Sequence, residues 1–118
     1  MKQFMMIFTG TDYSDLGLSA EEVQNRMGKW FAWSEKMEKA GIVKGGEALH
    51  PQVRRIIGKD RTVTDLNSAE VKELVGGFYI VKAQDFDEVE KIAQDFPDYD
   101  LDSAVEIREV INFDDYRP

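Results

Sequence analysis

The sequence predicts an α+β domain of the ferredoxin-like split βαβ plan with an added hairpin. Three observations lead there. Two strands, Phe4 to Phe8 and Gly77 to Lys82, carry apolar side chains on both faces. Two segments with helical apolar spacing each open on a capping box. The order of elements is strand, helix, two or three strands, helix, strand, which is the split βαβ order.

In the first strand, Phe4, Met6 and Phe8 face one side and Met5 and Ile7 the other. A strand buried on both faces needs a layer on each side. Tyr13 to Gly17 reads as a polar loop. Ser19-Ala20-Glu21-Glu22 is a capping box, so a helix starts there and runs to about Ala40, with Gly41 ending it in the left-handed conformation. Val23, Met27, Trp30, Ser34 and Met37 share one helix face, flanked by Phe31 and Trp33.

Ile42 to Leu49 reads as a strand with Gly45-Gly46 marking a bulge or a close backbone approach. Val53–Ile57 and Thr62–Thr64 flank Gly58-Lys59-Asp60-Arg61, a hairpin signal. Ser68 to Val75 predicts a short helix capped by Ser68, although Val71 and Val75 oppose it. After the strand Gly77–Lys82, Asp85-Phe86-Asp87-Glu88 opens the second helix. Phe86, Val89, Ile92, Ala93 and Phe96 supply its buried face, and Pro97 ends it. Ala104 to Ile111 alternates as a final strand. The helices of this plan cover one sheet face, and the other still carries apolar residues. A second sheet from an identical subunit would cover it, so a homodimer is expected.

The 118 residues fit a single domain, and 42% hydrophobic residues supply a core. With 23 acidic and 15 basic side chains the net charge is -8, which repels phosphate backbones and argues against a nucleic-acid partner. No cysteine is present, which removes disulfides, thiolate catalysis and cysteine-bound zinc. The N-terminal apolar run is only five residues long, too short for a signal peptide or a membrane span, so a soluble cytoplasmic protein is expected. Gly76-Gly77 lacks the text of a phosphate loop and precedes a strand rather than a helix. No loop has calcium-site spacing, and neither a metal nor a cofactor is expected.

Asp65, Ala69, Glu70, Lys72 and Glu73, followed by Leu74, Gly76, Gly77, Phe78 and Tyr79, match a D-G-P-F-A-E-x-K-E…L-x-G-F-Y pattern. Ala40-Gly41-Ile42-Val43-Lys44-Gly45-Gly46-Glu47-Ala48-Leu49-His50-Pro51 matches A-G-V-L-x-G-G-E-x-L-x-P. On these residues the chain resembles the YCII-related superfamily, in the branch named for the Asp-Gly-Pro-Phe (DGPF) motif. Leu66-Asn67-Ser68 stands where that branch has Gly-Pro-Phe. The resemblance implies a subunit that pairs as a dimeric α+β barrel, with a cleft between sheet and helices. The wider superfamily includes enzymes, and its smaller members often pair a histidine of the first helix with an aspartate. Here that helix, Asn25 to Trp33, has no histidine. Relatives in the branch are often encoded beside or fused to alternative sigma factors, so the resemblance implies a transcription-linked protein partner as the alternative reading.

Candidate chemistry centres on His50, the sole side chain whose ordinary pKa lies near neutrality. It reads as a general base oriented by Asp65 or Glu47, or as a loop histidine before Pro51. Asp65 orients His50 or contacts a ligand, or else caps the turn after its strand. Glu47 points into the cleft as an acid or base, or lies solvated and paired with Arg54 or Arg55. Trp30, Trp33 and Tyr79 line a ligand pocket or pack in the core or at a dimer interface. Two functions follow: binding a small organic molecule in the cleft with acid–base chemistry, or acting as a non-catalytic accessory module for a protein partner.

Overall fold

The computed structural model describes residues 1–71 and 73–118. Among the described residues, six strands and two α-helices follow in the order β1 (Lys2–Gly10), α1 (Ala20–Lys39), β2 (Val43–Ala48), β3 (Val53–Ile57), β4 (Thr62–Leu66), β5 (Leu74–Ala83), α2 (Phe86–Ala93) and β6 (Ala104–Glu109). The main sheet has the strand order β2-β5-β1-β6, all neighbours antiparallel, and β3-β4 form a separate hairpin. This is the expected ferredoxin-like α+β plan with its hairpin inserted between β2 and β5.

Local signals explain most boundaries. The Ser19 hydroxyl accepts from the Glu22 amide at 3.1 Å, so α1 starts where the capping box sits. Gly41 adopts φ +70° just past its end, a conformation that favours glycine. Asp85 accepts from the Glu88 amide at 3.0 Å, and the Glu88 carboxylate reaches back to the Gln84 amide at 3.2 Å, which fixes the start of α2.

The core lies between the sheet and the helices. Phe4, Met6 and Phe8 of β1, Val81 and Ala83 of β5, Trp33 and Met37 of α1, and Val89 and Ala93 of α2 are buried there. Phe8 is the hub: its ring stands edge-on to Trp30 at 5.0 Å and to Tyr79 at 5.3 Å, and stacks on Phe96 at 5.4 Å. Such aromatic pairs add about 0.5–1.5 kcal/mol each beyond area burial. Among the described residues no helix is long and apolar enough to cross a membrane.

Three expectations need correction. The helix expected over 68–75 is a single 3₁₀ turn, Ser68–Glu70, capped by Asn67 rather than Ser68. The β-branched Val71 and Val75 favour extended backbone, and β5 begins at Leu74, earlier than Gly77. Lys72 of the motif lies outside the described residues. Phe86 is half-exposed rather than buried, although its ring meets Phe4 edge-on at 5.1 Å. Phe31, which flanks the apolar stripe of α1, is 66% exposed rather than packed in the core.

Candidate functional site

A cleft of about 490 Å³ opens between α1 and the end of the sheet. Its apolar wall includes Phe8, Met27, Trp30, Phe31 and Tyr79, and its polar groups include Tyr13, Ser34, Asp98 and Ser103. Backbone irregularity shapes it. The β1–β5 register shifts between Phe8 and Thr9, and such bulges bend a strand and re-aim the residues beyond it. Gly46 lies against the Phe78 carbonyl and the Tyr79 ring so closely that no Cβ would fit. Of the Gly45-Gly46 pair, Gly46 is the close approach that the sequence offers, while Gly45 follows a register shift in β2 and has open space beside it.

At the base of the cleft lies Asp98, only 4% exposed. Its Oδ2 accepts from the Tyr13 hydroxyl at 2.5 Å and from Trp30 Nε1 at 3.0 Å. Its Oδ1 accepts from the Arg26 guanidinium at 3.1 Å. Burial of a carboxylate is tolerable because a cation and two neutral donors satisfy it. Arg26 is itself held by both oxygens of Asp100, at 3.0 and 2.8 Å. Those hydrogen bonds raise the Arg26 pKa above its ordinary value, with Asp98 adding to the shift, and the same contact lowers that of Asp100. Trp30 Nε1 also lies 3.1 Å from the Tyr13 oxygen, to which it donates.

Tyr13 is thus a donor to Asp98 and an acceptor from Trp30. Burial, then the hydrogen bond to Asp98 and its charge, push the Tyr13 phenol well above its usual range. It stays protonated at neutral pH and holds one further lone pair for a ligand. One turn further along α1 from Trp30, Ser34 shares a short hydrogen bond with Tyr79 through their hydroxyls.

The structure separates several residues that the sequence proposes together. His50 is exposed, lies two residues beyond β2, and is not on the cleft wall. Among the described residues it makes no hydrogen bond to Asp65 or Glu47. Asp65 faces Arg54 across the hairpin and binds its Nε at 2.7 Å. Both groups are about 70% exposed, so this cross-strand pair contributes at most about 1 kcal/mol. Glu47 belongs to the cleft wall, but its register with Phe78 turns it to the sheet face away from α1. Trp30 and Tyr79 line the cleft, whereas Trp33 is buried in the core.

Asp98, Tyr13 and Arg26 are not among the residues singled out from the sequence. One signal was present: Arg26 and Trp30 are spaced i, i+4, so a cation shares a helix face with an indole. Their partner lies 68 to 72 positions away, beyond any local pattern.

A comparison with curated protein sequences yields no match. Among solved structures, 5-chloro-2-hydroxyhydroquinone dehydrochlorinase (TftG) from Burkholderia phenoliruptrix AC1100, in complex with 2,5-dihydroxybenzoquinone, is similar in fold. The TM-score is 0.50 at 15% identity, over 93% of this chain and 94% of that one. The profile of the YCII-related domain matches residues 3–114, nearly the whole chain, and the protein belongs to that family.

Proposed function

We propose that the protein binds a small hydroxylated aromatic molecule in the cleft and moves a proton on and off it through Tyr13 and Asp98. The observation that carries this reading is the buried Asp98 carboxylate, held by Arg26 and Trp30 and joined to Tyr13, at the base of an aromatic-walled cleft. The cleft volume falls within the usual range for small-molecule sites, roughly 300–1,000 Å³. Apolar walls with a few convergent polar groups suit a flat ring bearing hydroxyls. The class of ligand is suggested by the compound bound to the dehydrochlorinase, through likeness of fold.

The chemistry is a relay. A ligand hydroxyl donates to the free lone pair of the Tyr13 oxygen. As its proton moves to Tyr13, the Tyr13 proton moves to Asp98 Oδ2. Tyr13 never carries a full negative charge, which agrees with its raised pKa. The ligand becomes a phenolate and Asp98 a neutral acid, and reversal returns the proton. Arg26 and Trp30 keep the carboxylate in place throughout. His50 takes no part in this scheme.

The test is ring-proton exchange. Resorcinol in deuterated buffer loses its ring C–H signals when acid–base chemistry acts on the ring. The protein should accelerate that loss, and Tyr13→Phe should abolish the acceleration. A rate equal to that of buffer, for resorcinol and for hydroxyhydroquinone, would contradict the relay.

A further inference from the structure

Tyr13 and Asp98 occupy one end of the cleft, and a second pair of polar groups stands one helical turn away. Ser34 follows Trp30 by four residues of α1, on the order of 6 Å along the helix axis. Tyr79 lies opposite Met6 in the β1–β5 register, on the sheet face that α1 covers, and its hydroxyl bonds that of Ser34. Both residues line the cleft. The Tyr79 ring stands edge-on to Phe8 at 5.3 Å and tilted to Trp33 at 5.9 Å, and it fills the space that a Cβ on Gly46 would take. These contacts hold its hydroxyl in place before a ligand arrives.

A count of protons gives the pair its chemistry. Two hydroxyls carry two protons, and their mutual hydrogen bond uses one. Whichever oxygen donates, the other keeps a proton. Among the described residues neither hydroxyl has another hydrogen-bond partner. The pair therefore offers one donor to the cleft. The Tyr13 end is the reverse. Its proton is committed to Asp98 and Trp30 occupies one lone pair, so it offers an acceptor only. The charged groups of the lining, Asp12, Glu47 and Asp98, are all acidic. Among the described lining residues there is no lysine or arginine, so a ligand carboxylate meets like charge and no cation.

We infer that the Ser34–Tyr79 pair donates to a neutral carbonyl oxygen, and that the cleft takes a phenol bearing a carbonyl group across the ring from its hydroxyl. This rests on the small-molecule reading of the cleft and narrows its ligand class. The phenol donates to Tyr13, and the carbonyl accepts from the pair a helical turn away. Neighbouring substituents do not match that spacing, and an adjacent hydroxyl and carbonyl bond to each other instead. The para arrangement also serves the relay. As the phenol proton moves to Tyr13, conjugation carries part of the negative charge to the carbonyl oxygen. The hydrogen bond from the Ser34–Tyr79 pair strengthens there as the charge arrives.

Calorimetric titration with para-hydroxyacetophenone and para-ethylphenol tests this, since the two differ by a carbonyl oxygen in place of two hydrogens. An apolar cleft without a donor favours para-ethylphenol, because a buried carbonyl forfeits its hydrogen bonds to water. The wild-type protein should instead bind the ketone about fivefold more tightly. The double variant Ser34→Ala, Tyr79→Phe should reverse that order. Ortho-hydroxyacetophenone, whose two groups are bonded to each other, should bind more weakly than its para isomer. A wild-type preference for para-ethylphenol, or a double variant that still prefers the ketone, would overturn the inference and leave the cleft a small-molecule site. If neither compound binds, the small-molecule reading falls and takes this inference with it. If the double variant does not fold, the wild-type ranking of the three compounds decides. The para ketone first supports the inference, and either of the others first contradicts it.

Discussion

The Tyr13 hydroxyl donates to Asp98 Oδ2 at 2.5 Å, across 85 positions of sequence. This bond ties the loop after β1 to the segment after α2 and puts a proton between the cleft and a buried carboxylate. Replacing Tyr13 by Phe removes the proton path and leaves Trp30 and Arg26 on Asp98. The loss in stability should be about 1–2 kcal/mol, read from the urea midpoint, because one hydrogen bond to a charged acceptor disappears. Ligand binding should survive and ring-proton exchange should not.

Asp98→Asn keeps the shape and removes the charge. One amide N–H must then face Tyr13, Trp30 or Arg26, all of which donate to this group. Breaking this nearly buried ion pair should cost about 2–4 kcal/mol in chemical denaturation. Both ligand binding and exchange should fall, because the base of the cleft loses its anchor.

Two groups set the pH response. The Tyr13 phenol is raised above its ordinary value of 10.0, so between that value and its folded one the unfolded chain ionises while the folded chain keeps its proton. Stability from this group is complete below pH 10.0 and falls as pH rises further. Asp100 runs the other way. The Arg26 hydrogen bonds lower it below 3.8, so its contribution is complete above that value and is lost as pH falls through the lowered one. Thermal unfolding across both limbs should show a shallower alkaline slope for Tyr13→Phe and a shallower acid slope for Asp100→Asn. An unchanged slope in either variant would contradict the assignment.

Two glycines should behave oppositely. A Cβ on Gly46 collides with the Phe78 carbonyl and the Tyr79 ring, whereas one on Gly28 in α1 meets nothing within 4 Å. Gly46→Ala should destabilise by about 1–3 kcal/mol and displace Tyr79 from the cleft wall. Gly28→Ala should stabilise by about 0.5–1 kcal/mol through helix propensity. Thermal melts of both variants check the contrast.

The main-sheet strands and both long helices were legible in the sequence because their signals are local. The alternation of Phe4–Phe8, the capping residues Ser19 and Asp85, and Gly41 each act within a few positions. The expected helix at Ser68–Val75 failed because pairing with Thr9 and Gly10 of β1 draws Leu74 and Val75 into β5. From the aromatic stripe and the strand, Trp30 and Tyr79 read as pocket or core residues; they line the cleft and also pack against the core. Asp98 was not legible in the sequence. Nothing in Pro97-Asp98-Tyr99-Asp100 distinguishes the buried carboxylate from its exposed neighbour Asp100, and only the fold brings Arg26, Trp30 and Tyr13 to it.

The most direct test of the cleft as a small-molecule site is the indole N–H signal of Trp30 in a nuclear magnetic resonance titration with hydroquinone. The chain has two tryptophans: Trp30 donates to Asp98 and lines the cleft, and Trp33 is buried in the core. Ligand binding should move the Trp30 signal in a saturable way and leave that of Trp33 nearly fixed. Ala48→Trp, which fills the cleft wall, should abolish the shift. If hydroquinone, resorcinol and hydroxyhydroquinone at millimolar concentration all leave the Trp30 signal in place, the cleft does not bind this class of molecule.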